Sequence, residues 1–358
     1  MSQSQSTSLA SDIIIIGAGP VGLFAAAQCG MLGLTCQLVD ALDAPGGQCQ
    51  ALYPEKPIYD IPAYPKILAG DLITQLVEQA APFKPAYHLS QQVIELNRAK
   101  DGRFRLVTSA GNILDAGAII IAAGAGAFGP NRPPLDRLET YEQSRAVQYF
   151  VTRRAEFAGK RIVIAGGGDS AVDWAISLAE IAASVALVHR RDKFRAAPES
   201  LRQLNELATA GKIELVTPYQ LHALEGDGAK LSAVIVSDLE SNTRALPADV
   251  LLPFFGLAMS LGPIAEWGLG IERNHIAINT ATAATSEPGI FAIGDIATYD
   301  HKLKLILTGF AEAAGAAHAA RRHIKPNEEF HFEYSTTRGV PSPEAANTSA
   351  AILERKAV

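Results

Sequence analysis

What this chain has little of narrows its chemistry. It carries three cysteines, Cys29, Cys36 and Cys49, an odd count with no two in C-x-x-C spacing. That excludes a disulfide framework and a zinc site, and it fits a reducing compartment. Basic residues are in deficit. The 31 Lys and Arg against 37 Asp and Glu leave a formal charge of -6, which excludes duplex nucleic acid as the main partner. No apolar run reaches the roughly 20 residues that span a bilayer. The Ser-rich start, Met1 to Asp12, lacks the cationic and apolar segments of a signal peptide. A cytoplasmic protein that does not enter the membrane is expected.

Glycine, by contrast, is plentiful at 30 residues, and much of it falls between an apolar run and a small-residue helix. Ile13 to Ile16 reads as a buried strand, Pro20 to Leu32 as a helix and Leu34 to Val39 as the next strand, a βαβ unit. Residues Gly46 to Pro65 read as a long functional loop and Gly70 to Ala81 as a helix. Strands are expected at Val93–Asn97, Phe104–Thr108, Ile113–Asp115 and Ala118–Ala122. A second βαβ unit follows: strand Arg161–Ala165, helix Ala171–Ala183, strand Val185–His189. Helix Ala197–Ala210 and strands near 214–217, 231–237, 250–253 and 290–293 come next, then a helix from Thr308 to His323. The repeated pattern predicts an α/β fold of two Rossmann-like dinucleotide-binding domains. The first is discontinuous, built from residues 1–129 and 290–358; the second spans 130–289. Asn131 to Pro134 and Glu287-Pro288-Gly289 are the expected hinges.

The first motif is Gly17-Ala18-Gly19-Pro20-Val21-Gly22. Gly17 permits a tight turn, Gly19 lets a pyrophosphate approach the backbone, and Gly22 lets helix and strand pack closely. The helix N-terminus adds N–H groups and a positive dipole end. Asp40 ends the second strand, where an acid can bind ribose hydroxyls. Strand, helix and acid together turn a weak motif into a nucleotide-site assignment. The second motif, Gly166-Gly167-Gly168-Asp169-Ser170-Ala171, has Ala in the last place, a permitted variant. Its following strand ends in His189-Arg190-Arg191, with Lys193 and Arg195 beyond. Guanidinium groups there would bind a 2′-phosphate that an acid would repel, so NADPH is expected over NADH. His189 itself reads as structural rather than catalytic. Two dinucleotide sites suggest a bound flavin in the first domain and a transient NADPH in the second. Gly294-Asp295, after a late strand, is a candidate for the flavin's ribityl chain.

Longer strings then carry a resemblance. Gly46-Gly47-Gln48, Ala51-Leu52-Tyr53-Pro54-Glu55-Lys56, Gly166 to Trp174, His189 to Ala196, Ser260-Leu261-Gly262-Pro263-Ile264 and Gly294 to Tyr299 resemble the ferredoxin–NADP reductases of the thioredoxin-reductase-like type. The resemblance runs from about Asp12 to Thr337. It implies a homodimer with one FAD per subunit, reduced by NADPH, that passes single electrons to an iron–sulfur partner such as a ferredoxin. It also implies roles. Asp40 and Gln48 would hold the adenosine and flavin portions of FAD, beside Gly47. Tyr53 would stack on one flavin face and Tyr334 on the other. Val93 and Phe128 would line the site, Asp295 would bind the ribityl chain, and Thr336 would contact FAD. Gly166, Gly168, Asp169, Ser170, His189, Arg190, Arg191 and Arg195 would hold NADPH. The family ends in an aromatic or His followed by Ser-Thr-Ser. Here the string is Tyr334-Ser335-Thr336-Thr337, with Thr last. No acid–base residue and no metal is expected. Arg132, Arg137, Lys302, Lys304, Arg321, Arg322 and Lys325 are candidates for docking an acidic ferredoxin.

Three rivals stand beside this reading. A thioredoxin reductase would need a dithiol, and Asp136 to Gly168 has no Cys. An NADPH-dependent flavoprotein with another acceptor, thioredoxin-like or quinone, differs only in its partner. A non-catalytic flavin-binding sensor would not need the second motif with its Arg pair.

Overall fold

A computed structural model describes residues 9–227, 230–328 and 339. The chain divides into two compact units. The first holds the segments up to Ala127 and from Met259 onward; the second is Phe128–Ala258.

In the first unit the all-isoleucine run lies in β1 (Leu9–Ile16). It feeds α1 (Pro20–Met31) and β2 (Cys36–Val39). A short helix α2 (Gly47–Ala51) breaks the expected long loop, and α3 (Ala69–Ala80) follows. Then come β3 (Ala86–His88), β4 (Val93–Arg98), β5 (Phe104–Thr108) and β6 (Ile113–Ile121). The sheet order is β3-β2-β1-β6-β5-β4. β1 lies parallel to β2 on one side and to β6 on the other, Ile13 opposite Cys36 and Ala118.

Successive strand residues face opposite sides. Ile13, Ile15 and Leu38 therefore pack under the helices with Leu23 and Ala316. Ile14, Ile16 and Val39 pack on the far side with Phe104 and Leu106. Each such side chain contributes about 1.5–3 kcal/mol of burial, and burial on both faces accounts for the unbroken apolar run. β6 is one strand where two were expected. Gly117 lies within it, and a side chain there would stand 3.1 Å from Ile324. The glycine makes room for the end of the last helix.

The second unit repeats the plan with β7 (Arg161–Ala165), α4 (Asp169–Leu178), β8 (Ser184–Val188), α5 (Pro198–Thr209) and β9 (Ile213–Val216). An antiparallel layer follows, β10 (Gln220–Gly226), β11 (Leu231–Ser237) and β12 (Thr243–Pro247), and then β13 (Val250–Pro253). The parallel sheet runs β9-β8-β7-β13.

The chain returns to the first unit at 259, not at 290 as expected. The reason is pairing. β14 (His275–Ala277) bonds in parallel to Ala297–Thr298, beyond β15 (Ile290–Ala292), and Ile276 is buried in the first unit's far-side core. Glu287-Pro288-Gly289 therefore lies inside the first unit and is not a crossing point. The crossings are the paired strands Ala127–Pro130 and Leu257–Ser260. β15 extends the main sheet beside β6, and α6 (Ile306–Ile324) closes the unit. Among the described residues no helix is long and apolar enough to cross a membrane.

Candidate functional site

Both glycine turns sit where a strand feeds a helix. Gly17 has φ +108, and a side chain on it would stand 2.3 Å from the Ala122 carbonyl oxygen. On Gly22 it would stand 2.0 Å from the carbonyl oxygen of Gly17. These two glycines are required by the protein's own packing. Gly19 is different. Its backbone is extended (φ -68, ψ -179), and a side chain would come no nearer than 3.9 Å to any atom, the Cα of Gly47. No side chain caps α1 above it, which leaves first-turn N–H groups to other acceptors.

Asp40 braces this turn. Its carboxylate accepts the Ala18 N–H at 2.6 Å and the Leu42 N–H at 2.9 Å. Burial raises its pKa, and those backbone bonds oppose the rise. Gly47 abuts Gly19, and the Gln48 amide nitrogen lies 3.9 Å from the side-chain position of Gly124. Tyr53 packs against the helix-side core, half-buried, and the Cys49 thiol donates to its hydroxyl at 4.0 Å. Burial raises the Tyr53 phenol, and the nearby Cys49 and Asp295 raise it further. The Cys49 thiol is pushed up to about 11, by burial first, with the Asp295 carboxylate adding to the rise. The Asp295 carboxylate, distant in sequence, is thus felt electrostatically by both Cys49 and Tyr53. Asp295 is exposed between buried Gly294 and Ile296.

Val93 is buried in the far-side core, so its side chain serves packing. Phe128 lies on the strand leaving the first unit; its side chain, with Tyr334 and Thr336, lies outside the described residues.

In the second unit a side chain on Gly166 would stand 2.7 Å from the Phe254 carbonyl oxygen, repeating the role of Gly17. Gly168 repeats Gly19: extended (φ -101, ψ -179), with nothing nearer than 4.0 Å. Gly168, Asp169 and Ser170 are exposed. The basic loop is zipped onto this turn. The Arg195 N–H donates to the Gly167 carbonyl at 2.6 Å, and Asp169 accepts the Ala197 N–H at 3.0 Å. The His189 ring fills the space beside Gly167, where a side chain would meet it at 2.2 Å, and it packs on Phe194 at 5.3 Å. Burial lowers its pKa, and the cations of Arg190, Arg191 and Arg195 add to that. Those three arginines are exposed, and among the described residues none is ion-paired. Elsewhere in the unit Arg161 holds Asp249, and Arg202 holds Glu199.

Sequence reasoning missed one group. Glu312 on α6 and Lys302 form an ion pair whose side chains are 6% and 5% exposed. Its signal was available: Glu312 shares the Gly309, Ala313, Ala316 stripe that faces the core. The pair also corrects the docking assignment for Lys302, whose side chain is buried. Of the other docking candidates, Arg132 grips Glu142, Lys325 and Arg321 hold Glu328, Lys304 meets His275, and Arg137 lies over Tyr141. Arg322 is exposed.

Two parallel-sheet units, each with a glycine turn at a helix N-terminus, define the class. The chain belongs to the pyridine nucleotide-disulphide oxidoreductase family, whose pattern it matches over residues 11–322. More particularly, it is 62% identical over 341 residues to the ferredoxin–NADP reductase of Rhodospirillum rubrum, covering 94% of this chain and 99% of that one. It is 62% identical over 330 residues to that of Paramagnetospirillum magneticum, covering 92% and 98%. Among solved structures, the thioredoxin reductase of Lactococcus lactis superposes with a TM-score of 0.76 at 25% identity, covering 88% of this chain and 99% of that one. The fold is thioredoxin-reductase-like, with a discontinuous first Rossmann-like domain.

Proposed function

We propose that the chain is a ferredoxin–NADP reductase: an FAD-dependent oxidoreductase that carries electrons between NADPH and a ferredoxin. The observation that carries it is the pair Gly19 and Gly168. At both positions the protein's own packing leaves room for a side chain, so the reason for glycine lies in a bound group. A pyrophosphate drawn to the helix N-terminus is that group.

The residues fit FAD in the first unit. Gly17, Gly19, Pro20 and Gly22 form the cradle, and Asp40 and Gly47-Gln48 flank it. Tyr53 is the stacking candidate, and exposed Asp295 is an acceptor for ribityl hydroxyls. When bound, the flavin supplies the conversion between a two-electron hydride and single electrons. The chain's contribution is positioning and stacking rather than proton transfer. In the second unit Gly166, Gly168, Asp169 and Ser170 would receive the NADPH pyrophosphate. Arg190, Arg191 and Arg195, held against the turn through Gly167 and Asp169, would take the 2′-phosphate. Tyr334 remains a candidate for the second flavin face and Thr336 for a contact to FAD; Phe128, and Val93 through its main chain, remain candidates for lining the adenine and flavin site.

The acceptor follows from the thiols and the relatives. All three cysteines are buried and free, and residues 128–258 contain none. The second unit therefore has no dithiol relay of its own, and a flavin bound in the first unit would have to hand its electrons directly to the acceptor. The two bacterial relatives at 62% identity support ferredoxin as the carrier. The same reading makes the protein a cytoplasmic homodimer. The test is cytochrome c reduction by NADPH with and without ferredoxin. Dependence on ferredoxin is expected; equal rates without it, or reduction of thioredoxin or quinone at the same rate, would overturn the acceptor. Failure of NADPH to bleach the flavin would sink the enzyme in favour of a sensor.

A further inference from the structure

One glycine in the first unit is held from both sides. The Gly294 N–H donates to Glu312 Oε2 at 2.7 Å, and Lys302 Nζ donates to the Gly294 carbonyl at 2.9 Å. Lys302 and Glu312 are ion-paired to each other. Tyr299 completes the group: its hydroxyl donates to Glu312 Oε1 at 2.9 Å, and its ring lies 5.1 Å from the Lys302 ammonium. Gly294 itself has φ +74, a left-handed conformation, and is buried. Helix α6 passes close beside it. A side chain on Gly309 of α6 would stand 2.4 Å from Val21 of α1 and 3.4 Å from the Gly294 Cα. The next residue, Asp295, is the exposed one.

Burying two charges is costly, and a buried pair is on average no more stabilising than apolar residues of the same size. Its retention calls for a reason other than stability. We propose that Lys302 and Glu312 are positioning residues: they clamp the main chain of Gly294 and thereby fix where the Asp295 carboxylate stands to accept hydrogen bonds from the polyol hydroxyls of the flavin. The inference rests on the FAD reading above. Neither side chain needs to touch the cofactor. The clamp acts because the peptide joining Gly294 to Asp295 carries the carbonyl that Lys302 holds.

The test is a double-mutant cycle on cofactor affinity. One arm is Lys302→Met with Glu312→Gln, which removes both charges and keeps an acceptor for the Gly294 N–H. The other arm is Asp295→Ala. FAD is stripped from each protein and titrated back, with dissociation constants read from flavin fluorescence and the bound flavin's near-UV circular dichroism recorded. Each arm alone is expected to weaken FAD binding roughly tenfold, about one hydrogen bond's worth. The combination is expected to lose no more than either arm. The flavin dichroism should change alike in both arms, and the melting of the FAD-free proteins should not separate the pair variant from the parent. Multiplying losses would overturn the proposal, because the pair would then act independently of Asp295. So would an Asp295→Ala protein that binds FAD as the parent does. Should the pair variant fail to fold, Glu312→Gln alone enters the same cycle under the same criteria. A parent chain that binds no FAD would instead bring down the functional reading on which this one stands.

Discussion

Gly17 and Gly166 open their turns under the same constraint, a carbonyl oxygen 2.3 Å from where a side chain would stand in one unit and 2.7 Å in the other. Five residues later the turns part. A side chain on Gly22 would stand 2.0 Å from the Gly17 carbonyl oxygen, whereas the corresponding residue of the second unit, Ala171, carries one. The first turn is thus drawn tighter to its strand. Its surroundings differ in the same sense. Asp40 is half-buried and used twice by the backbone, and Gly294 is gripped by a buried ion pair. The second turn is exposed along Gly168, Asp169 and Ser170, beside three arginines that form no ion pair among the described residues. On the proposed reading, the first unit would retain its ligand and the second would exchange one. That is the division of labour expected of a resident flavin and a passing NADPH.

The largest expected effect tests the tightness itself. Gly22→Ala forces a Cβ onto backbone that cannot yield, and should destabilise the protein by about 3 kcal/mol. Ala171→Gly only removes a methyl from the first turn of a helix, and should cost about 1 kcal/mol or less. Chemical denaturation with retained-flavin absorbance measures both. Equal losses would mean the two turns are equally tight.

Next in size is the charge difference. The second strand ends in an acid in the first unit and in His189-Arg190-Arg191 in the second. Replacing Arg190 and Arg191 with Ala should raise the KM for NADPH by roughly 10–100-fold, the worth of one or two charge-assisted hydrogen bonds. The KM for NADH should barely move. A parallel rise for both would show that the pair does not read the 2′-phosphate.

Much of this contrast was legible in the sequence, and the exceptions have physical causes. The central parallel strands announced themselves because both faces are buried, as in Ile13 to Ile16 and Arg161 to Ala165, whereas the parallel edge strand β3, Ala86–His88, with no buried residue, did not. β10 and β12 did not, since they lie on an exposed antiparallel layer; β12, Thr243–Pro247, buries only Leu246. The return at 259 was hidden because it depends on contacts distant in sequence, the pairing of Ile276 with Ala297 and the packing of Leu261, Ile264 and Leu269 in the far-side core, that no local pattern reveals. At the candidate site, Gly19 and Gly168 could be placed by motif. Which glycines the protein needs for itself could only be read from the atoms beside them. Lys302 read as a surface charge because lysine is rarely buried; its partner lies ten residues on, across a turn.

A smaller effect separates fold from ligand at the matched positions. Gly19→Ala and Gly168→Ala meet no atom within 3.9 Å and 4.0 Å. Each should leave stability within about 0.5 kcal/mol. Each should lower affinity roughly tenfold for one nucleotide only, FAD for the first and NADPH for the second. Calorimetric titration and melting curves give both numbers. Loss of both affinities from either substitution would break the assignment of one nucleotide to each unit.

The smallest effect comes from the titratable groups that end the second strand of each unit, and they carry opposite signs. Burial raises the Asp40 carboxyl and lowers the His189 imidazole. For His189, a folded-state pKa below the ordinary 6.5 means that the unfolded chain takes up the proton first as pH falls. Its contribution to stability is whole above 6.5 and is lost as pH falls through the folded value. Burial comes first among the causes, and the three arginines follow. Arg190→Ala with Arg191→Ala should therefore move the His189 pKa upward, yet leave it below the ordinary value, because the ring still packs between Gly167 and Phe194. Proton NMR titration of the His189 ring reads this directly. A return all the way to 6.5 would mean that charge, not packing against the glycine turn, governs His189, and that the basic loop is not seated on the turn as firmly as Arg195 and Asp169 hold it.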